Sequence, residues 1–432
     1  MRITRRRFLQ TAAAAGIGFP MVLTNSAFGS YRANERIRLG FIGVGTMGRA
    51  HISGFAHRED VEMLAVCDVV KERRDNGVRM IKERYAQLGR SPDAPCDAYN
   101  HFRDLLARKD IDAVVISTPD HWHAIPCVEA AKAGKHIYCE KPLTHSILEG
   151  RKIVNVVKEN KVVFQTGSQQ RSEFNDYFRK AVELVRNGRI GKVQTIHIGV
   201  GGPPVPCDLP EQPVPPGTDW DLWLGPAPYR GYNEILCPKG VHQHFPAWRN
   251  YREYAGGGLA DMGAHHFDIA QWALDMDNSG PVKIEPPEKG YAGLRFTYAN
   301  GVVMIHGYPE KNPKFEGQHR DCIFEGTEGT IFVSRGGIKT DPPSILEQPL
   351  GDNAWRAYPS KDHHRNWIEC IRTGKDCICT AEIGHRSATV CHLANIGYFL
   401  RKPLAWDPVQ ERFDDPEANK LLLREGRGEW KI

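Results

Sequence analysis

The chain has 432 residues, 41% hydrophobic and 25% charged, a composition that suits two ordinary globular domains and excludes a disordered or collagen-like polymer. The formal charge of +5 comes mostly from Arg2, Arg5, Arg6 and Arg7, and with no acid in the first 30 residues the remainder is near +1. That balance removes charge as an argument for nucleic-acid or membrane-surface binding.

The first 30 residues do not read as part of the globular body. Thr4-Arg5-Arg6-Arg7-Phe8-Leu9-Gln10 precedes a bland apolar run, Ala12 to Leu23, and then Ala27-Phe28-Gly29, a small-x-small site. This order is that of a twin-arginine export signal, and it predicts a periplasmic or otherwise exported protein. A basic N-terminal arm is the alternative. The apolar run is shorter than the roughly 20 residues an ordinary transmembrane helix needs, so no membrane span is expected. Eleven cysteines are an odd number for an exported chain. Cys67 and Cys139 fall in predicted strands, where a thiol packs as a small hydrophobe. Cys207 and Cys237, in a Pro-rich stretch, are candidates for a pair.

Residues 39–48, LGFIGVGTMG, run from an apolar strand into Gly43-x-Gly45-x-x-Gly48. Gly43 permits a tight turn, Gly45 leaves room for a pyrophosphate, and Gly48 lets the following helix pack on the strand. The helix opens at Thr46 and Met47, whose end offers free N–H groups and a positive dipole. A second strand, Val61 to Asp68, ends in an acid placed to hydrogen-bond an adenosine ribose. Asp68 favours NAD; NADP is the other candidate, should Arg73 or Arg74 fold back on the ribose. A protein exported already folded carries its dinucleotide with it, so tight retention is expected.

Strands and helices then alternate to about residue 160: strand Asp112–Thr118, helix Pro126–Ala133, strand His136–Cys139, helix Leu148–Glu159, with a further strand at Val162–Thr166. This alternation implies a parallel sheet with helices on both faces. Beyond it the pattern changes. Helix Asn175–Asn187 and strand Lys192–Val200 precede a Pro- and Gly-rich insertion at 201–250. Hairpins are predicted at Gly290–Gly307 and Cys322–Val333, and helices at His363–Arg372 and Glu382–Arg401. The expected architecture is a dinucleotide-binding α/β domain over 31–160, followed over 161–432 by an α+β domain with a large, mostly antiparallel open sheet.

Three segments carry chemistry. Thr118-Pro119-Asp120-His121-Trp122-His123 and Cys139-Glu140-Lys141-Pro142 stand at the carboxyl ends of predicted parallel strands, where open α/β sheets bind ligands. Thr118, Pro119, His121, His123, Glu140 and Lys141 are therefore expected beside the cofactor. The third segment is Gly256 to Trp272, in which Asp261 and His265, four apart, share a helix face. An imidazole suits removal of a hydroxyl proton near neutrality, and an ammonium favours the developing alkoxide. His266 competes with His265 for that role, and Asp261 could be only a helix N-cap for a run beginning at Met262. Trp122, Gln169, Arg171, Tyr177 and His266 are expected on the substrate side. His121-x-His123 with distant histidines lacks a convincing third ligand, so no metal is expected; His242-x-His244, in the insertion, is a weaker substrate or metal candidate.

Taken in order, Gly-x-Gly-x-x-Gly, Glu-Lys-Pro and Gly-Gly-Gly-x-x-x-Asp-x-Gly-x-His-x-x-Asp resemble the glucose–fructose oxidoreductase/inositol dehydrogenase (Gfo/Idh/MocA) family over roughly residues 36–402. Asp219-Trp-Asp-Leu-Trp-Leu-Gly-Pro-Ala-Pro228 resembles an exported bacterial branch of it. The resemblance implies a nicotinamide-dependent oxidoreductase acting on a sugar, polyol or glycoside. It further implies that Lys141 binds substrate and tunes proton transfer, that His265 is the acid/base, and that Asp261 positions both. Some members of the family oxidise a sugar transiently and give net glycoside hydrolysis. That chemistry needs a second base, for which His121, His123 and Tyr177 are candidates. A non-catalytic sugar- or dinucleotide-binding protein is the reading from a different class. A carbohydrate and a second copy of the chain, joined through the C-terminal sheet, are the expected partners.

Overall fold

The computed structural model describes residues 35–89, 95–307 and 322–432; the stretch 1–30, read from sequence as an export signal, lies outside them. Residues 37–432 form one compact unit. Among the described residues, strands β1 (Ile37–Ile42), β2 (Val61–Cys67), β3 (Asp97–Tyr99), β4 (Ala113–Ile116), β5 (His136–Cys139) and β6 (Phe164–Thr166) form a parallel sheet of order β3-β2-β1-β4-β5-β6. β4 is buried throughout, as expected of a strand covered by helices on both faces. The covering helices are α1 (Thr46–Ala56), α2 (Lys71–Gln87), α3 (Phe102–Leu106), α4 (Ala124–Lys132) and α5 (Ile147–Asn160). Helix α5 starts where a capping box says it should, with Ser146 and Glu149 satisfying each other's backbone N–H groups.

The sheet's sixth strand lies beyond residue 160. The parallel sheet therefore runs on to Thr166, through the strand expected at 162–166. Helix α6 (Tyr177–Arg186) then leads to a second sheet, of order β13-β12-β11-β7-β10-β9-β8-β14-β15. Its strands are β7 (Val193–Ile198), β8 (Lys283–Glu285), β9 (Arg295–Thr297), β10 (Val303–His306), β11 (Cys322–Gly326), β12 (Thr330–Ser334), β13 (Gly337–Asp341), β14 (Leu404–Asp407) and β15 (Arg412–Phe413). All pairings are antiparallel except β7 with β10. Both expected hairpins are present, as β9–β10 and β11–β12.

Further helices are α7 (Trp220–Leu224), α8 (Gly257–Ala273), α9 (His363–Thr373) and α10 (Ala381–Leu400). Helices α8 and α10 are buried over most of their length and pack on one another. The insertion has its own apolar core, in which Trp220 stacks on Trp223 with ring centres 4.7 Å apart, beside Tyr232, Leu236, Trp248 and Tyr254. All eleven cysteines are free thiols, so the Cys207–Cys237 pairing is not formed; the Cys237 sulfur instead accepts from the Arg73 guanidinium.

Candidate active site

The glycine fingerprint closes on itself as its spacing requires. Gly43 has φ +84°, and a Cβ there would lie 2.8 Å from the Ser117 backbone at the end of β4. A Cβ on Gly48 would stand 2.0 Å from the Gly43 carbonyl oxygen. At Gly45 a Cβ would meet nothing within 4 Å, and no side chain caps α1. The helix end thus opens onto a cavity of about 850 Å³ lined by Gly43, Gly45, Thr46, Met47, Asp68, Thr118, Pro119 and Trp122. Open space over an uncapped helix N-terminus fits a pyrophosphate, and the residues present fit a dinucleotide.

Asp68 is 7% exposed and accepts from the backbone N–H groups of Val44 and Val70, each at 2.9 Å, which fastens the turn to the end of β2. Its two basic neighbours stay close by, Arg73 lining the same cavity, and both are tied to acceptors of the protein. Arg73 donates to the carbonyls of Pro238 and Gly240, and Arg74 to the Asp68 carbonyl and Asn100. The insertion crosses this cavity: Thr46 donates to the His244 carbonyl at 2.9 Å, and Arg49 to that of His242. Trp223, Leu236, Phe245 and Trp248 supply its outer wall.

A second cavity of about 1260 Å³ adjoins the first, sharing Met47, Ser117, Thr118, Phe245, Trp248 and Arg249. Here the other two motifs meet. Lys141 Nζ donates to Asp261 Oδ1 and to the Asp261 carbonyl, both at 2.8 Å, and Arg249 Nε stands 3.7 Å from the same carboxylate. Burial would raise the Asp261 pKa, but Lys141 and Arg249 overcome it and keep the carboxylate ionised. Helix α8 begins at Gly257, so Asp261 lies within the helix and is not its N-cap. His265, one turn on, is 4% exposed and lines the cavity; burial, then Lys141, push its pKa well below the ordinary value. Glu140 Oε1 accepts from Gln169 at 2.9 Å and faces His51 Nε2 at 3.0 Å; His51 Nδ1 in turn pairs with His364 Nε2 at 2.8 Å. Burial opposes ionisation of Glu140, yet His51 and Lys141 hold it down at about 2.

Several expected site residues have other work. His121 lines neither cavity: its Nε2 faces the Trp223 carbonyl at 3.0 Å, which Trp122 Nε1 also meets at 2.9 Å. These contacts dock the insertion on the loop after β4. Gly225, at φ +49°, lets α7 end against the Trp122 ring, where a Cβ would come within 2.0 Å. His123 lines the polar cavity, but both its nitrogens face carbonyls, of Pro142 at 2.8 Å and Thr118 at 2.9 Å, so neither is turned toward the cavity to serve as a base. Trp122 lies in the dinucleotide cavity and not the polar one.

Arg171 is fully buried. It forks onto Asp268 and Asp277 at 2.7–3.0 Å and reaches no cavity, so it is a core ion and not a sugar ligand. Tyr177 opens α6 away from both cavities. His266 faces away from the polar cavity, with burial pushing its pKa to about 3. Gln169 and Glu140 do line that cavity. Asp120, His51, Arg249, Arg335 and His364 line it too and were not assigned from sequence. Asp120 at least lies inside a segment that the strand-end rule marks. Arg249 sits in an aperiodic insertion and Arg335 in a hairpin turn, where no local pattern signals a role.

Comparison with known proteins agrees with this geometry. Residues 37–168 match the model described as "Oxidoreductase family, NAD-binding Rossmann fold", and residues 206–432 match "Oxidoreductase family, C-terminal alpha/beta domain". A glycosyl hydrolase family 109 protein of Shewanella baltica is 31% identical over 213 residues, which is 44% of this chain and 44% of that one; the chain thus matches less than half the length of that relative. A myo-inositol 2-dehydrogenase of Thermotoga maritima is 26% identical over 396 residues, 85% of this chain and 96% of that one. The WlbA dehydrogenase of Bordetella pertussis, solved with NADH and UDP-GlcNAcA, has the same fold, with TM-score 0.54 and 18% identity over 82% of this chain and 94% of that one. Two family models together spanning most of the chain, and the fold they describe, establish that it belongs to the Gfo/Idh/MocA family of NAD-binding oxidoreductases.

Proposed function

We propose that this protein oxidises a secondary CH–OH group of a sugar, polyol or glycoside. The observation that carries the reading is the Lys141–Asp261 pair and His265 in one polar cavity that opens into the dinucleotide cleft. The bound dinucleotide supplies the hydride acceptor. His265 Nδ1 is closed off without a partner among the described residues, so the hydroxyl proton moves to Nε2. The imidazole is uncharged at neutral pH and ready to accept it. Lys141 steadies the developing negative charge on the substrate oxygen, and Asp261 holds Lys141 and accepts a neighbouring hydroxyl. Asp68 supports NAD over NADP, because a carboxylate accepts ribose hydroxyls and repels a 2′-phosphate, and the guanidiniums of Arg73 and Arg74 already donate to acceptors of the protein. Equal binding of both dinucleotides, unchanged in Asp68→Ala, would reject that preference.

A second reading is net glycoside hydrolysis with the dinucleotide returned to its starting redox state. The likeness over 213 residues to a glycosyl hydrolase family 109 protein supports it, as does the enclosure of the dinucleotide cleft by the insertion, which favours retention. Export through the twin-arginine route, from the segment 1–30, fits a protein that keeps its dinucleotide.

Incubation with a panel of polyols and glycosides separates these readings. Stoichiometric reduction of the dinucleotide supports the dehydrogenase. Aglycone release with no net reduction supports the hydrolase. Binding without either product leaves a non-catalytic sugar-binding protein. Native mass spectrometry of the purified protein reads retention directly, and a clean apo mass rejects it.

A further inference from the structure

Asp120 opens the 3₁₀ turn Asp120–Trp122 after β4. The residue is 4% exposed, its side chain lines the polar cavity, and its carboxyl meets its own backbone N–H but has no side-chain or ion-pair partner among the described residues. The other buried carboxylates of that cavity are engaged: Glu140 with His51 and Gln169, Asp261 with Lys141. We propose that Asp120 stands in the site as an uncharged carboxylic acid whose O–H donates a hydrogen bond to a substrate oxygen. This rests on the cavity being the sugar site.

The physical argument starts from burial. An ionised carboxylate without a partner, taken out of water, is costly enough that the group keeps its proton instead. The titratable and charged groups that share its cavity are Asp261 and His265 from α8, Arg249 from the 247–250 turn, Glu140 and Lys141 from the end of β5, His51 from α1, His364 from α9, Arg335 from the β12–β13 turn, and His123 and Glu173. His265 is uncharged, and Arg249 and Lys141 already face Asp261. Burial and then Asp261 prevail over the two cations and bring the Asp120 pKa up to about 8. The cavity therefore holds two carboxyls in opposite states, Asp261 accepting and Asp120 donating. A vicinal diol presents both an O–H and an acceptor oxygen to such a pair. On this assignment the site requires a hydroxyl, ring or glycosidic oxygen opposite Asp120, and it loses its hold on that oxygen as the acid ionises.

The test has two arms. In the first, the resting protein is labelled with carboxyl-13C aspartate and titrated beside Asp120→Asn. The resonance missing from the variant is expected to titrate near neutral to mildly alkaline pH. Titration in the ordinary aspartate range would overturn the proposal. The second arm uses whichever polyol or glycoside the panel shows to be turned over. In the wild type KM should rise across the Asp120 ionisation. Asp120→Asn, which keeps an N–H donor, should give a flat KM there. Asp120→Ala should raise KM about 3–10-fold over wild type below the Asp120 ionisation, the worth of one neutral hydrogen bond, and by less above it, with a smaller effect on kcat. A purely structural role would lower the melting temperature and leave the pH profile of KM unmoved, and that result would also overturn the proposal. If no polyol or glycoside is turned over, the sugar reading fails, and the titration still decides the protonation of Asp120.

Discussion

His265 and His266 are adjacent imidazoles on one helix, and of the two His265 is the one that lines the polar cavity. His265 lines the polar cavity beside Lys141, whereas His266 is turned into the packing. His265→Ala should cut turnover by about 10²–10⁴-fold with the dinucleotide still bound, the usual range for a lost acid/base. His266→Ala should lower stability and leave kcat within a small factor. The pH profile sharpens the assignment. Because burial and Lys141 depress the His265 pKa, the acid limb of kcat/KM should lie below 6.5, the ordinary histidine value. Lys141→Met removes a neighbouring cation, so protonating the imidazole becomes easier and the limb should move up toward that value. A limb that stays in place in Lys141→Met would separate the two residues and reject the arrangement.

At the scale of elements, what was legible in the sequence was whatever repeats locally or demands glycine. The βαβ alternation, both hairpins and the α1 start follow from apolar period, turn chemistry and the Gly43–Gly48 spacing. The short strands β3, β14 and β15 carry no pattern of their own and form only because a sheet edge receives them. The site divides in the same way. Asp261 and His265 sit on one helix and Lys141 two residues past the end of β5, at readable spacing. By contrast, Arg171 looks like a substrate ligand in sequence and is a buried ion, because its partners Asp268 and Asp277 are about a hundred residues away. The fingerprint itself gives a test that separates fold from function. In Gly45→Ala the added methyl has free space, so the melting temperature should barely change while dinucleotide affinity falls, since the methyl stands where the phosphates approach. In Gly48→Ala the methyl would collide with the Gly43 carbonyl, so stability and binding should fall together. Calorimetry and dinucleotide titration on the two variants read this contrast, and equal melting losses in both would reject it.

The molecule as a whole is stitched together by buried polar groups between distant segments, and histidines do much of the stitching. His363 Nε2 meets the Thr166 carbonyl and its Nδ1 meets Ser172; His392 Nε2 meets the Thr144 carbonyl; His306 bonds Tyr398. These imidazoles join the two sheets' helices and loops in their uncharged form, and burial lowers their pKa values, to about 4 for His363 and about 3 for His392 and His266. In the unfolded chain each titrates near the ordinary value of 6.5. Between those limits the unfolded state binds protons that the folded state refuses, so stability is full above about pH 6.5 and is lost as pH falls toward the folded values. The urea midpoint should therefore drop steeply from roughly pH 6.5 to pH 4.5, beginning above the range in which ordinary carboxylates titrate. His392→Gln, which keeps an N–H for the Thr144 carbonyl and cannot take up a proton, should be somewhat less stable at neutral pH and should show a shallower acid slope. A slope unchanged in that variant, or a midpoint flat down to pH 4.5, would place the acid sensitivity in the carboxylates instead.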